Sequence, residues 1–284
     1  MSISFIPWWA KIAAKLVLSR LPIEYKFWKD AGLFSHGSME QPNYAYGVFK
    51  KHFDRAKPKA GFVSLEMGPG DSLFSSMISL AFGGSKSYLV DAKAFANKNI
   101  LQYHAMAEYL KQKMLTVPNF DALQYLEEIL DSCHAKYLTS GLSSLKLIPD
   151  KSVDFIWSHA VLEHVRRSEF CETMQELRRI ISDDGVCSHE VDLRDHLGGH
   201  LNNLRFSERI WEADFMANSG FYTNRIQYSQ MVDIFQQAGF TVELIKMDRW
   251  NTLPTARSKL SHEFTHFSDE ELCISTFSVV LRPA

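Results

Sequence analysis

The residues of this chain that are best suited to chemistry surround a glycine-rich turn and an acid that follows it. Glu66, Gly68 and Gly70 form the pattern E-x-G-P-G directly after an apolar run, and Asp91 closes a second apolar run, S-Y-L-V-D. Glycine has no Cβ, so a turn of this kind lets the backbone come close to a ligand. The pattern therefore predicts a nucleotide-type cofactor at the carboxyl ends of parallel strands.

Two common phosphate-binding turns do not fit these residues. The dinucleotide fingerprint G-x-G-x-x-G is incomplete, because Leu73 occupies its third glycine position, and Asp71 would place an acid beside a pyrophosphate. No Gly-Lys-Ser/Thr follows the turn, which excludes a Walker loop. Asp71 and Ser72 are instead residue types that cap a helix N-terminus, and we expect a helix to begin there.

Two later stretches extend the pattern. Residues 148–165 read I-P-D-K-S-V-D-F-I-W-S-H-A-V-L-E-H-V, and residues 177–185 read L-R-R-I-I-x-x-x-G. Together with the glycine turn and Asp91, they resemble the motifs of class I S-adenosylmethionine-dependent methyltransferases, over about residues 61–191. The resemblance implies a methyltransferase of the small-molecule type, with S-adenosyl-L-methionine as cofactor and S-adenosyl-L-homocysteine as product.

The resemblance also implies a set of cofactor-binding residues at the strand ends. Asp91 would accept hydrogen bonds from both ribose hydroxyls, and Glu66 would meet the amino group of the methionine tail, directly or through water. The family often has an aspartate after its third strand to bind the adenine amino group, whereas this chain has T-S-G-L at 139–142. The expected cofactor residues are Glu66, Gly68, Gly70, Asp91, Ala92, Gly141, Leu142, Ser158 and His159.

The elements that position these residues follow from the alternation of apolar runs and helical patterns. We predict strands at 61–66, 86–91, 135–139, 153–158, 186–191, 240–247 and 273–281, and helices at about 71–82, 97–116, 121–133, 168–181 and 229–238. Such alternation indicates a doubly wound, mostly parallel sheet, and the lack of an adequate helix before the last strand predicts antiparallel pairing there. The predicted fold is a seven-stranded Rossmann-like α/β sheet with an added N-terminal helical region.

The chain divides at the turn Lys57-Pro58-Lys59. We predict a helical cap over 1–57 and a methyltransferase domain over 58–284, with a substrate or lid insertion at about 194–226. Within the cap, residues 5–20 form an apolar helix with interspersed lysines. That composition predicts either packing on the domain or peripheral contact with a membrane.

Methyl transfer to a hydroxyl requires a group that removes its proton, and histidine is suited to this near neutral pH. His196 is the first choice, because it lies in a polar segment after the fifth strand. His164, just past the fourth strand, is the second choice, with a helix-capping role as the equal alternative, and Glu163 is expected to be structural. The expected substrate-binding residues are Arg194, Asn202, Arg205, Trp211 and Tyr222, with the arginines on an anionic group.

The same segment allows a metal site or a plain surface loop as alternatives. Asp192, Asp195, His196 and His200 offer the donors that Mg²⁺ or a transition metal would use. Their spacing matches no specific metal motif, so we predict no metal site.

Composition limits the partners. The formal net charge is −2, which gives no basic excess for nucleic acid, and the four widely spaced cysteines fit neither a disulfide framework nor a zinc site. We expect reduced thiols, a cytoplasmic location with the inner membrane surface as the alternative, and a monomer or homodimer.

A second resemblance concerns the acceptor. The region with Pro22, Trp28 and Gly32 resembles methyltransferases associated with bacterial surface-polysaccharide synthesis, which favours O-methylation of a sugar or its phosphate. N- or C-methylation of another metabolite is the alternative within the enzyme class. A non-catalytic S-adenosylmethionine-binding scaffold is the alternative outside it.

Overall fold

The computed structural model describes residues 7–18 and 38–284. Its strands are β1 Val63–Met67, β2 Lys86–Val90, β3 Ala135–Leu138, β4 Val153–His159, β5 Ile181–Asp192, β6 Phe240–Arg249 and β7 Ile274–Pro283. Its helices are α1 Trp8–Leu18, α2 Pro42–Ala56, α3 Phe74–Ala81, α4 Ile100–Gln112, α5 Leu126–Ser132, α6 Leu142–Leu145, α7 Arg167–Ile180, α8 Glu208–Trp211, α9 Asp214–Ala217, α10 Tyr228–Gln237 and α11 Asp269–Leu272. Short 3-10 turns lie at Leu162–His164, Asn202–Arg205, Arg257–Lys259 and His262–Phe264.

The seven strands form one sheet in the order β3-β2-β1-β4-β5-β7-β6. Strands β1 to β5 pair in parallel, and β7 runs antiparallel to both of its neighbours. This confirms the predicted fold, including the antiparallel last strand. The physical reason is the link from β6 to β7, whose longest described helix, α11, has four residues, whereas a parallel connection usually needs a longer crossover helix.

The core lies on both faces of the sheet. Along β4, Phe155 and Trp157 face a layer formed by α2, α3 and α4, while Ile156 faces the layer of α7 and α10. Both faces are apolar because the helices of a doubly wound fold cover the sheet on each side. The carboxyl ends of β1, β2, β4 and β5 therefore meet at one edge, where the sequence motifs lie.

The predicted start of the fifth strand is wrong. Residues 182–185 were expected to separate a helix from a strand that starts at 186, but β5 already begins at Ile181. The pairing moves from Val153–Ile181 to Phe155–Val186, so the extra residues form a bulge in β5 rather than a break. Such a bulge has the composition of a turn, which is why the sequence suggested one.

The helix after the glycine turn also starts later than expected. It begins at Phe74 with Leu73 at the N-cap position, so neither Asp71 nor Ser72 is the N-cap residue. The Ser72 hydroxyl instead donates to the carbonyl of Met39 at 2.5 Å. This bond ties the glycine turn to the segment that leads into α2.

The N-terminal helix packs on the rest of the protein. Ile12 of α1 is buried in an apolar cluster with Trp211, Phe221 and Tyr222. No helix within the described ranges is long and apolar enough to cross a bilayer. Pro22, Trp28 and Gly32 lie outside the described residues, and the division of the chain at residue 57 stays a prediction.

Candidate active site

The glycine turn after β1 requires glycine for two physical reasons. Gly68 and Gly70 have φ angles of +67° and +65°, in the left-handed region that side chains disfavour. A Cβ on Gly68 would also lie 2.5 Å from a methyl group of Val161, in the loop after β4. The turn and that loop thus pack too closely for any other residue.

Asp91 connects three loops at this edge. Its Oδ2 accepts the Gly70 N–H at 3.0 Å, and its Oδ1 accepts the Ala92 N–H at 2.7 Å. The Gly141 N–H donates to the Asp91 carbonyl at 2.9 Å. A carboxylate is a residue type that accepts hydrogen bonds from the hydroxyls of a ligand. Leu142 follows Gly141 and begins α6.

Glu66 is buried at the end of β1. The Ser75 hydroxyl donates to its Oε2. Burial raises the pKa of Glu66 to about 8, the charge of Asp91 adds to the rise, and the Ser75 bond opposes it. The carboxyl group is therefore mostly protonated near neutral pH and can donate as well as accept a hydrogen bond.

Ser158 and His159 point to opposite faces of the sheet, because successive strand residues alternate. Ser158 is fully buried, and its hydroxyl lies 2.7 Å from His189 Nδ1. His159 faces α2 instead, with Nδ1 3.4 Å from Glu190 Oε1. The structure therefore does not bring both side chains to one place, although both were expected to bind the cofactor.

The His159 side of the sheet carries a polar group that sequence reasoning missed. Lys51 of α2 forms an ion pair with Glu190 at 2.7 Å, and the Tyr44 hydroxyl lies 3.4 Å from His159 Nε2. Burial, with Lys51 as a smaller cause, lowers the pKa of His159. The period of β4 could have indicated this face, but the helix that supplies Lys51 could not be inferred from the motif.

His164 and His196 come together beyond the ends of β4 and β5. Their rings stack with centroids 4.7 Å apart and planes 21° apart. His164 Nδ1 lies 2.8 Å from the Tyr222 carbonyl, which can only accept, so Nδ1 carries a proton. Glu163 lies beside them, and one donor atom from each of the three residues falls within 4.8 Å of the others.

Burial favours the neutral forms of Glu163 and His196. It raises the pKa of Glu163 well above its usual range, and it lowers the pKa of His196. Asp192 acts against the shift at His196, and Lys15 of α1 adds to it. A neutral imidazole has a lone pair that can accept a proton or bind a metal.

The loop after β5 is organised by Asp195. One of its oxygens accepts four backbone N–H groups from Leu197 to His200, and the other accepts the N–H and the side-chain amide of Asn202. Both oxygens are thus used in shaping the loop, which argues against Asp195 as a metal ligand. Asn202 is buried and donates both bonds to Asp195, and the substrate role expected for it stays a prediction.

The two arginines of this loop are also engaged within the protein. Arg194 donates to both carboxylate oxygens of Asp192, at 2.8 and 2.7 Å. Arg205 donates to Asn202 at 2.9 Å, and its guanidinium lies 5.0 Å from the ring centre of Trp8 in α1. The expected anion-binding role of either arginine would require it to leave these partners.

Trp211 and Tyr222 are buried in the apolar cluster that also holds Ile12, and the substrate role expected for them stays a prediction. Trp211 is fully buried, and its indole N–H donates to the Thr223 carbonyl at 2.7 Å. The Tyr222 hydroxyl donates to Glu212 at 2.8 Å and accepts the Arg167 N–H at 3.1 Å. These bonds fix the Tyr222 carbonyl that holds His164.

Asn224 is a positioning residue that the sequence did not reveal. Its side-chain amide donates to the carbonyls of Leu162 and Val165, and its backbone N–H donates to the Glu163 carbonyl at 2.7 Å. It thereby holds the loop of Glu163 and His164. The only available signal was an asparagine in a polar segment, which is too common to indicate this.

Two clefts lie at the opposite, amino edge of the sheet. One of about 330 Å³ is lined by residues such as Lys86 and His134, and one of about 510 Å³ by residues such as Lys59 and Asp184. Neither is lined by a residue expected to bind the cofactor. In parallel α/β sheets ligands bind at the carboxyl ends of the strands, so we place the site at that edge.

The fold and the edge residues define a class I methyltransferase dependent on S-adenosylmethionine. The glycine turn that a Cβ would fill and the carboxylate of Asp91 fit a cofactor with a ribose diol. Residues 48–245 match the family described as methyltransferase domain, and the chain belongs to that family. No curated protein matches it.

Several solved structures are similar at low identity. The YcgJ protein of Bacillus subtilis is 14% identical, with a TM-score of 0.47, over 84% of this chain and 99% of that one. An S-adenosylmethionine-dependent methyltransferase of Mesorhizobium loti is 14% identical, with a TM-score of 0.44, over 84% of this chain and 95% of that one. Phosphoethanolamine N-methyltransferase 2 of Haemonchus contortus is 14% identical, with a TM-score of 0.47, over 84% of this chain and 53% of that one.

Proposed function

We propose that this methyltransferase acts on a small molecule or glycan and methylates a hydroxyl, most simply that of a sugar or its phosphate. The observation that carries the enzyme class is the family match over residues 48–245. The hydroxyl acceptor is supported by the two imidazoles at the carboxyl edge, because oxygen is a good nucleophile only once its proton is removed. Burial lowers the pKa of His196 and so favours the neutral ring that can accept that proton.

The cofactor would be held by the residues around Asp91. We propose that Asp91 binds the ribose hydroxyls, that Gly68 and Gly70 let the backbone approach, and that Gly141 and Ala92 flank the adenine. Glu66 would meet the methionine tail as a hydrogen-bonding group. Bound there, S-adenosylmethionine supplies a methyl group on a positively charged sulfur. Leu142, Ser158 and His159 complete the proposed set, with Ser158 acting from the core and His159 from the α2 side.

The acceptor would be activated by His196 and His164. His196 remains the first choice, since its Nε2 is buried and has no hydrogen-bond partner among the described residues. His164 is held in one tautomer by the Tyr222 carbonyl, so its Nε2 is the nitrogen that can take a proton. Arg194 and Arg205 would reach a substrate anion only by exchanging their present partners.

Calorimetry and methyl-transfer assays test this proposal together. We expect the purified chain to bind S-adenosylmethionine and to transfer its labelled methyl group to a sugar or sugar phosphate in a panel that also contains amines and carbon acids. Mass spectrometry of the product identifies the methylated atom. Transfer to nitrogen or carbon would replace the O-methylation proposal, and binding without any transfer would favour a non-catalytic scaffold. Absence of cofactor binding would contradict the enzyme assignment.

Peripheral membrane contact through residues 5–20 is a separate proposal. Its support is the outer face of α1, where Trp9 and Val17 are each 61% exposed while Ile12 faces the protein. Tryptophan at such a face suits the headgroup region of a bilayer. Co-sedimentation with vesicles of anionic lipid should fall for a Trp9→Ser and Val17→Ser variant, and equal sedimentation of wild type and variant would contradict the contact. Mass measurement in solution decides between monomer and homodimer.

A further inference from the structure

Glu163, His164 and His196 form a compact cluster of metal-binding residue types. The first two lie in the loop after β4, and the third lies in the loop after β5. The loops meet because β4 and β5 are adjacent parallel strands whose carboxyl ends share one edge. Candidate donor atoms from the three side chains all lie within 4.8 Å of one another.

Glu163 is the observation that makes this cluster unusual. Its side chain is 1% exposed, and among the described residues neither carboxyl oxygen has a hydrogen-bond partner of normal geometry. The nearby backbone N–H groups of Glu163 and Asp192 lower the pKa of this carboxyl group, but by less than burial raises it. A buried polar group without partners costs stability, and a bound cation would remove that cost.

The two imidazoles supply the remaining donors. His196 Nε2 is buried and has no hydrogen-bond partner in the described part of the chain. The His164 Nδ1–H donates a hydrogen bond to the Tyr222 carbonyl, so in the neutral ring the lone pair is on Nε2. A backbone carbonyl on the far ring nitrogen is the usual way in which proteins orient a metal-binding histidine.

We propose that Glu163, His164 and His196 bind a divalent cation. Two imidazole nitrogens and one carboxylate oxygen are a donor set used by catalytic Zn²⁺ and by non-haem Fe²⁺, and they leave coordination positions open. Ligand atoms at about 2.0–2.2 Å from one ion lie about 3–4 Å from each other, so donor atoms within 4.8 Å of one another can reach a shared ion by small side-chain rotations. The site differs from the aspartate-rich set suggested by the sequence, in which Asp195 is occupied by its loop.

This inference rests in part on the proposed function, because it gives the two histidines a defined way to activate the acceptor. A hydroxyl on an open position of the cation would be acidified and would release its proton to solvent. Coordination uses the same lone pairs that would otherwise take the proton directly. A histidine that binds the cation therefore cannot also take the proton of the acceptor, and the cation would replace the direct histidine base.

Equilibrium dialysis with Zn²⁺ tests the site without any methyl-transfer assay. All proteins carry Cys171→Ser, since Cys171 is an exposed free thiol that could bind zinc. After treatment with a chelator, we expect about one Zn²⁺ per chain, and Glu163→Gln or His196→Ala should weaken binding by about 100-fold or more. The matched control is His200→Ala, an exposed histidine of the same loop outside the cluster, which should bind as the parent does.

Further measurements keep the outcomes separate. Co²⁺ in place of Zn²⁺ should give visible absorption bands that disappear in the Glu163→Gln protein. If a core variant fails to fold, His164→Ala serves instead, since His164 is exposed. Zinc binding that is absent from the parent, or unchanged in Glu163→Gln and His164→Ala, would overturn the inference. Calorimetry with S-adenosylmethionine on the same proteins shows whether the proposed function fails independently.

Discussion

The carboxylate of Asp91 accepts the backbone N–H of Gly70 at 3.0 Å. This bond joins the end of β2 to the turn after β1, so the residue expected to bind the ribose also holds the turn expected to face the cofactor. Replacing Asp91 by Asn should weaken S-adenosylmethionine binding by about 10–100-fold, because the amide nitrogen cannot accept and the charge is lost.

Calorimetry measures this effect. The matched control is Asp121→Asn, an exposed carboxyl far along the chain, whose binding should equal that of the parent. An Asp91→Asn protein that is folded and binds the cofactor at parental affinity would remove Asp91 from the site.

The contact between Gly68 and Val161 predicts a loss of stability when alanine replaces the glycine. An alanine at position 68 would have to keep the left-handed φ of the glycine, and its Cβ would lie 2.5 Å from a methyl group of Val161. Gly61→Ala is the control, because Gly61 also has a positive φ but nothing within 4 Å of its Cβ position. Urea unfolding should show that Gly68→Ala loses about 1–3 kcal/mol more than Gly61→Ala.

A second substitution separates the clash from the backbone strain. Adding Val161→Ala to Gly68→Ala should recover part of the lost stability, since it removes the methyl groups that the new Cβ meets. If the double variant loses as much stability as the two single variants together, or more, the close approach is not the cause.

The raised pKa of Glu66 predicts how stability changes with pH. Its value of about 8 lies above the ordinary 4.5, so between these pH values the folded protein holds a proton that the unfolded chain has released. Stability from this group therefore falls as pH rises through that window, by an amount on the order of a few kcal/mol. Glu66→Gln keeps an acceptor for Ser75 and should flatten the curve.

Urea unfolding without cofactor at a series of pH values from about 5 to 8 measures both proteins. Burial also raises the pKa of Glu163, so Glu163→Gln should independently reduce the fall of stability with rising pH. Identical slopes for the parent and both variants would contradict the burial of these two carboxyl groups.

The loop after β5 should depend on Asp195. Asparagine in its place would lose one acceptor oxygen and leave backbone N–H groups without a partner, at a cost of about 2–4 kcal/mol. Thermal melting should show a lower Tm for Asp195→Asn, while Asp184→Asn, whose carboxyl is exposed, should melt as the parent does. Equal melting of the Asp195→Asn protein would show that the loop does not need its carboxylate.

Local pattern was sufficient for most of the fold. Apolar runs broken by glycines placed the strands within a few residues, because a buried strand needs continuous apolar side chains and its end needs a turn. The bulge at 182–185 was missed because its residues are those of a turn, and only pairing with β4 shows that the strand continues.

By itself, the sequence determined the enzyme class, since the glycine turn, Asp91 and the stretch at 148–165 are local in the chain. Only the tertiary structure decided which side chains meet. It brought His164 to His196 and left Glu163 buried. Such pairings depend on strand order and desolvation, which bring together residues distant in the chain and have no signature in the spacing of either.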